Sequence, residues 1–331
     1  MKNVIEETFG LTVLQFFDYG QYKAFRTRRK ICMIVPVSHL EEDELYEMYQ
    51  MGQHLLENKE RNVAMFLLTK QGTLSFYYEK EKFVLLQVPF YSGPSKVYSL
   101  GRSLAQFHQK GRTLAVKISK TNRIGKWKSL WEQRLDQLEV FWRGKVNIQP
   151  LNHFDKMFVE SFPYYLGLCE NAIQYLVDTE IDDEPQPVDA ATICHHRFTS
   201  ETWKSPGCKI PTEWVFDHAG RDLAEYIRDQ FDKNNEVFDA AFLEDYDRTA
   251  RLSSFFWRLV YSRLLFPLHY FECIENYYLS KEEYREEYEK KLEKMLQESG
   301  KYERYISSFS SLLSMRTRKI YLPRIHWLSP S

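Results

Sequence analysis

The apolar residues change period near residue 90, and that change limits the fold more than any other feature of the chain. Before it they come in short alternating or continuous runs bounded by turn residues, the mark of strands. LTVLQFFDYG (11–20) ends in a turn at Tyr19-Gly20, YKAFRTRRK (22–30) alternates, and ICMIVPV (31–37) reads as a buried run. A helix follows, its start marked by Ser38 and the acidic Glu41-Glu42-Asp43-Glu44, with Leu45, Met48, Leu55 and Leu56 on one face. VAMFLLT (63–69) and TLSFYYE (73–79), parted by the turn Lys70-Gln71-Gly72, are two further strands, and FVLLQVPF (83–90) is one more. Residues 1–90 therefore read as a β-rich lobe with one helix.

Pro89, Gly93 and Pro94 mark a linker, and from there the spacing is mostly helical. VYSLGRSLAQFHQKG (97–111) puts Leu100, Leu104 and Phe107 on one face. Trp127–Trp142 is an aromatic helix, read as core, and a long helix spans Phe154 to Val177. An acidic, proline-containing loop (178–189) leads into a short apolar strand, ATICHH (191–196), and helices resume at Arg221. SKEEYREEYEKKLEKMLQESG (280–300) is a solvated charged helix with a narrow stripe of Tyr284, Tyr288, Leu292, Met295 and Leu296; Gly300 is expected to stop it. The fold class is α+β, two-lobed, with the larger helical lobe at 91–331.

Composition narrows the function classes. With 45 basic and 46 acidic side chains the net charge is −1, so no basic excess points to nucleic acid. The five cysteines are scattered, with no Cys-x-x-Cys pair, which argues against a disulfide framework or a structural zinc. Cys194, His195 and His196 adjoin, with Cys208 beyond them, but adjacent strand residues point to opposite faces and share an ion awkwardly. No signal-peptide run and no stretch of about 18 apolar residues occurs, so no membrane span is expected.

Three segments carry a family resemblance. Leu100-Gly101-Arg102-Ser103-Leu104-Ala105-Gln106-Phe107-His108 resembles the helix that follows the hinge in aminoglycoside-phosphotransferase-like kinases. Gly125-Lys126-Trp127 is similar to a segment of the CotS-related spore-coat branch of that family. Ile193-Cys194-His195-His196-Arg197-Phe198 stands in the place of the catalytic loop, and Asp217-His218-Ala219 and Asp222-Leu223-Ala224 stand where that family carries its metal-binding aspartate and a following helix start. The resemblance implies a protein-kinase-like fold and a place in the endospore coat, reached after synthesis in the cytoplasm. It also implies other coat proteins as partners, and a homodimer is allowed.

The chemistry the family would need is degraded. Phosphoryl transfer requires a lid over the phosphates, a lysine on them, metal-holding groups and a carboxylate that orients the attacking hydroxyl. Where the family reads His-Gly-Asp and then Asn, this chain has His195-His196-Arg197 and then Thr202. A guanidinium at the base position stays protonated and has no acceptor lone pair. Asp217 alone remains as a charged ligand should a metal bind, and an Arg197–Asp217 ion pair is expected to substitute side-chain charge for the ion. The first hairpin has one glycine, Gly20, and ICMIVPV has no lysine; Lys23 and Lys30 lie nearby, and Glu44 or Glu47 reads as a solvated helix start. Asp222 is expected to be structural, as a helix-start acceptor or a brace of the loop, and His108 and His195 to hydrogen-bond in the core.

The reading is a non-catalytic interaction protein with no cofactor expected. Two alternatives stay open: an active small-molecule or protein kinase using ATP and Mg²⁺ in a rearranged site, and a nucleotide- or metabolite-binding module without chemistry. The C-terminal Arg316, Arg318, Lys319, Tyr321, Arg324, Ile325 and Trp327 read as a segment along the helical lobe, with a docking strip as the sharper alternative.

Overall fold

The structure, a computed structural model, describes residues 1–89, 98–148, 151–204, 207–233, 238–316, 320, 322–323 and 325. Gly93 and Pro94 of the expected linker lie outside the described residues, as do Arg318, Lys319, Tyr321, Arg324 and Trp327 of the C-terminal strip. The chain opens with a helix, α1 (Lys2–Phe9), then β1 (Gln15–Tyr19), β2 (Tyr22–Arg26), β3 (Ile31–Pro36), α2 (Glu42–Glu57), β4 (Met65–Leu67), β5 (Ser75–Tyr78) and β6 (Glu81–Gln87). After it come α3 (Leu100–Gly111), α4 (Trp127–Val146), α5 (His153–Asp182), β7 (Thr192–His195) and β8 (Trp214–Asp217). The remainder is helical: α6 (Gly220–Asp232), α7 (Ala240–Ala250), α8 (Ser254–Leu265), α9 (Leu268–Leu279) and α10 (Glu282–Arg316).

Compactness divides the chain into two units. One comprises Met1–Ile124, Ala190–Asp222 and Ala241–Ala250; the other comprises Gly125–Asp189, Leu223–Ala240 and Arg251–Ser331. This division differs from one drawn at residue 90, because the hairpin carrying His195 and Asp217 groups with the β-rich lobe.

In the first unit an antiparallel sheet runs in the order β1-β2-β3-β6-β4, with β5 also on β6. Its register sets Phe25 opposite Cys32, Ile34 opposite Leu85 and Phe76 opposite Phe83. Strand alternation therefore collects these side chains on one face. Ile5 of α1 and Val13 close a buried cluster over them. Burial of both faces explains why β3 and β6 read as continuous apolar runs. Helix α2 begins later than Ser38: Glu41 is the N-cap, in a capping box with Glu44, while the Ser38 hydroxyl accepts from Lys82 N.

Two glycines of α3 permit close backbone contacts. A Cβ at Gly101 would meet the Phe242 carbonyl oxygen of α7 at 2.1 Å, and one at Gly111 would meet Thr192 Oγ1 at 2.3 Å. The obstacle at Gly101 is backbone, which yields little. Gly101→Ala is expected to cost about 1–3 kcal/mol. Gly144→Ala, exposed inside α4 with open space around it, should instead stabilise by up to about 1 kcal/mol. Thermal unfolding of the two variants checks the opposite signs.

In the second unit α8 is buried from Phe255 to Leu265 and packs on α5. Its two buried arginines are paired: Arg263 with Glu225 at 3.0 Å and Arg258 with Asp182 at 3.1 Å. The aromatic stretch of α4 is largely core, with Trp131 stacked on Phe266 at 4.6 Å, although Phe141 is exposed. Helix α10 does not stop at Gly300. It runs on to Arg316, because Tyr305, Ile306, Phe309 and Leu313 continue its apolar face and are buried. That burial outweighs the roughly 1 kcal/mol a mid-helix glycine costs.

Candidate functional site

The hairpin of β7 and β8 pairs Thr192 with Asp217 and His195 with Trp214, which brings the ends of the two conspicuous sequence segments together. Loop residues 119–123 run along it: Thr121 O accepts from Phe216 N and Phe216 O accepts from Arg123 N. Glu47 of α2 clamps that loop. Its carboxylate accepts from the backbone N–H groups of Ser119, Lys120 and Thr121 at 2.8–2.9 Å, and from the Thr121 hydroxyl at 2.8 Å. Burial alone would raise the Glu47 carboxyl, but these donors hold it below its ordinary value. The expectation of a solvated Glu47 is therefore corrected: a buried acceptor fixes the loop. Glu44 closes the capping box.

No lysine lies on β3 to meet either glutamate. Lys23 is exposed and paired with Asp18 at 2.6 Å, and Lys30 is exposed. A buried lysine that sequence reasoning missed, Lys82 on β6, points its ammonium at the Leu40 carbonyl and lies 3.5 Å from Glu42.

The β1–β2 hairpin turns at Gly20, whose φ of 61° needs glycine, and Gln21. Its tip is tied down within the same unit. Tyr22 Oη donates to Glu213 Oε1 at 2.6 Å, immediately before β8. Burial, then the Glu213 carboxylate, raise the Tyr22 phenol well above its ordinary value, so the donor persists at any physiological pH.

Around His195 the polar groups form one buried network. Asp222, at the start of α6, directs its carboxylate to the loop: Oδ1 accepts from His195 N at 2.9 Å, and Oδ2 meets His195 Nδ1 at 2.7 Å and His108 Nε2 at 3.1 Å. Trp203 Nε1–H donates to His195 Nε2 at 3.1 Å, which assigns the His195 proton to Nδ1. Tyr246 Oη meets His108 Nδ1 at 2.6 Å, so neutral His108 donates to Asp222 from Nε2. Burial pushes the His108 imidazole down to about 4, against the pull of Asp222. Burial would raise the Asp222 carboxyl, but the two imidazoles hold it well below its usual range.

Asp217 is fully buried, and the ion pair in view is with Arg221, whose Nη1 lies 2.9 Å from Oδ2. Arg221 also donates from Nε to the His195 carbonyl at 3.0 Å, and Asp217 Oδ1 accepts from His218 N at 2.7 Å. Arg197 is half-buried on the loop after β7. Thr202 is engaged in the loop's own turn, its hydroxyl accepting from Thr199 N at 2.8 Å. The donor set does not fit Mg²⁺, which takes several hard oxygens and few cations beside them. Of the two buried carboxylates, Asp222 is committed to the histidines and Asp217 is already bridged to the loop by a guanidinium.

His108, Cys194 and Asp222 bring three possible ligand atoms within 4.8 Å of one another. They are bonded otherwise: the Cys194 thiol is directed at the Asp217 and His218 carbonyls. Burial first, then the Asp222 and Asp217 carboxylates, raise that thiol far above its ordinary value, which favours the neutral thiol. All five cysteines are free and buried.

Arg221 carried a signal in the sequence, four residues after Asp217, that was not used. Tyr22 and Glu213 carried none, being 191 residues apart. Among the described residues no helix is long and apolar enough to cross a membrane.

Solved structures share this arrangement. An aminoglycoside phosphotransferase from Alicyclobacillus acidocaldarius superposes with a TM-score of 0.63 at 14% identity, over 92% of this chain and 93% of that one. A spectinomycin phosphotransferase gives 0.57 at 13% identity, over 89% and 93%. The fold is thus that of the aminoglycoside phosphotransferases, with a β-sheet N-lobe and a helical C-lobe. In sequence, the endospore coat-associated protein YutH of Bacillus subtilis (strain 168) is 46% identical over 334 aligned positions, 99% of this chain and 98% of that protein. A family model described as "Spore coat putative kinase YutH" matches residues 2–309. With a match of that extent and a relative of that identity, the chain belongs to the YutH family of kinase-fold spore-coat proteins.

Proposed function

We propose that this chain is a non-catalytic kinase-fold protein of the endospore coat, made in the cytoplasm and acting in coat assembly by contact with other coat proteins, with self-association into a homodimer as part of the same role. The observation that carries this reading is an Asp217 whose carboxylate is tied to Arg221, together with Arg197 where the resemblance sets the catalytic base. A guanidinium cannot accept the hydroxyl proton that phosphoryl transfer releases. Glu47 is committed to the 119–121 loop and β3 carries no lysine, which supports the same reading. We propose further that Arg197 adds its charge to the Arg221–Asp217 pair, so that two guanidinium groups stand in for the metal. No ATP or Mg²⁺ is needed in this role.

Titration of ATP into the full chain, with and without Mg²⁺, tests the reading. The expected result is no saturable heat and no thermal stabilisation that depends on Mg²⁺. Transfer of a γ-phosphoryl group that Asp217→Ala abolishes would overturn it and leave the active-kinase reading. A second reading, nucleotide binding without chemistry, draws on the complete His108–Asp222–His195 brace. It predicts ATP binding of equal strength with and without the metal.

A further inference from the structure

The helical unit contains a cavity of about 400 Å³ bounded by α5, α6, α9 and α10. None of His195, Arg197, Thr202, Asp217 or Asp222 lines it. Its size falls in the range of small-molecule sites, about 300–1,000 Å³. Protein cores hold few voids larger than a water molecule, because the atoms around a void lose dispersion partners. The ring-lined walls of this half-open pocket lack such partners on one side, so an apolar ligand that enters it gains contacts.

The walls are aromatic and fixed in place. Tyr165 and Tyr270 stack with centroids 3.6 Å apart at 14°. Tyr270 Oη is hydrogen-bonded to Ser161 at 2.9 Å, and Tyr302 Oη donates to the Leu264 carbonyl at 2.9 Å. Rings held at both ends present flat apolar surface without further ordering. Of the charged side chains on the lining, Arg228, His269, Lys291 and Lys294 are basic and Asp232 and Glu298 acidic. Arg228 is buried and shares the Glu225 carboxylate, at 3.1 Å, with Arg263. Asp232 is matched by His269 at 3.1 Å, and Glu298 lies between Lys294 at 3.9 Å and Lys301 at 3.8 Å. The lining's solvent-exposed cations are Lys291 and Lys294, one turn apart on α10, the second 3.9 Å from Glu298.

We propose that this chamber binds a small molecule with a flat aromatic body and a single carboxylate, the rings seated against the stacked Tyr165–Tyr270 pair and Tyr302 and the carboxylate held at the mouth by Lys291 and Lys294. The proposal does not rest on the absence of phosphotransfer, and the ATP titration can fail without touching it.

Calorimetric titration of the full chain with 2-naphthoate, and with 2-naphthalenemethanol as the uncharged match, tests it. The expected result is saturable one-to-one binding of the naphthoate, at least tenfold tighter than the alcohol. Lys291→Gln with Lys294→Gln removes that tenfold difference while leaving the melting temperature within a few degrees, since both side chains are exposed. Ser299→Trp, which fills the chamber from α10, abolishes binding of both compounds. Equal affinity for the alcohol, an unchanged preference in the double lysine variant, or no saturable binding of either compound would each overturn the proposal.

Discussion

Asp222→Ala is expected to lower the free energy of unfolding by about 3–5 kcal/mol, the range for removing one partner from a buried charged network. The Asp222 side chain is fully buried, and its two oxygens serve His195 N, His195 Nδ1 and His108 Nε2. Truncation strands all three donors in a site water does not reach, and each stranded donor costs about 1–3 kcal/mol. A helix cap would cost only about 1 kcal/mol, so the size of the loss separates the two roles open to this residue. Asp222→Asn retains one carbonyl oxygen, and its amide can donate to a His108 that has moved its proton to Nδ1; its loss should be clearly smaller. Urea denaturation of the three proteins reads both values. An alanine variant within about 1 kcal/mol of the parent would mean that the carboxylate only caps α6.

The same network shows what a sequence can and cannot convey. The strands were legible because their apolar runs are continuous or alternate and end in turn residues: β3 and β6 bury almost every side chain, and Gly20 sits in the first turn. Helix α1 was not, because eight residues make barely two turns and only Ile5 among them is buried. Strand β8 was missed for a related reason, since four residues, Trp214–Asp217, are too few to show a period. Glu47 was misread because an acidic helix start looks alike whether water or a distant loop satisfies it. Its three backbone donors lie more than seventy positions away. Asp217 was legible, and its pairing with Arg221 follows from the turn of the chain from β8 into α6 between them.

These particulars share a physical theme. Three carboxylates of this unit are engaged by the chain's own groups: Glu47 by backbone N–H donors, Asp217 by Arg221, and Glu213 by Tyr22 of the hairpin tip. Each is a charged or strongly polar acceptor with protein donors supplied, which lets buried polar groups persist without a ligand.

Lowering the pH from about 6.5 to about 4 is expected to remove about 3 kcal/mol of stability through His108 alone. Burial depresses this imidazole from 6.5 to about 4 in the folded chain. Between those values the unfolded chain takes up the proton and the folded chain does not, so protonation drives unfolding. The contribution is therefore complete above pH 6.5, falls as the pH drops through the window, and is exhausted below about 4. Asp222 acts in the next interval: its folded value lies below the ordinary 3.8, so its stabilisation is present above 3.8 and is lost as the pH falls further. Acid unfolding should thus begin with a histidine and finish with the carboxylate it faces. His108→Gln isolates the first stage. The neutral amide can still donate to Asp222, so the variant should fold, with lower stability at pH 7 from imperfect packing against Tyr246. Its stability between pH 6.5 and pH 4 should decline less steeply than the parent's by up to one proton, about 1.4 kcal/mol per pH unit. Chemical denaturation at half-unit steps of pH measures both slopes, and parallel curves for the two proteins would remove His108 as the group that titrates.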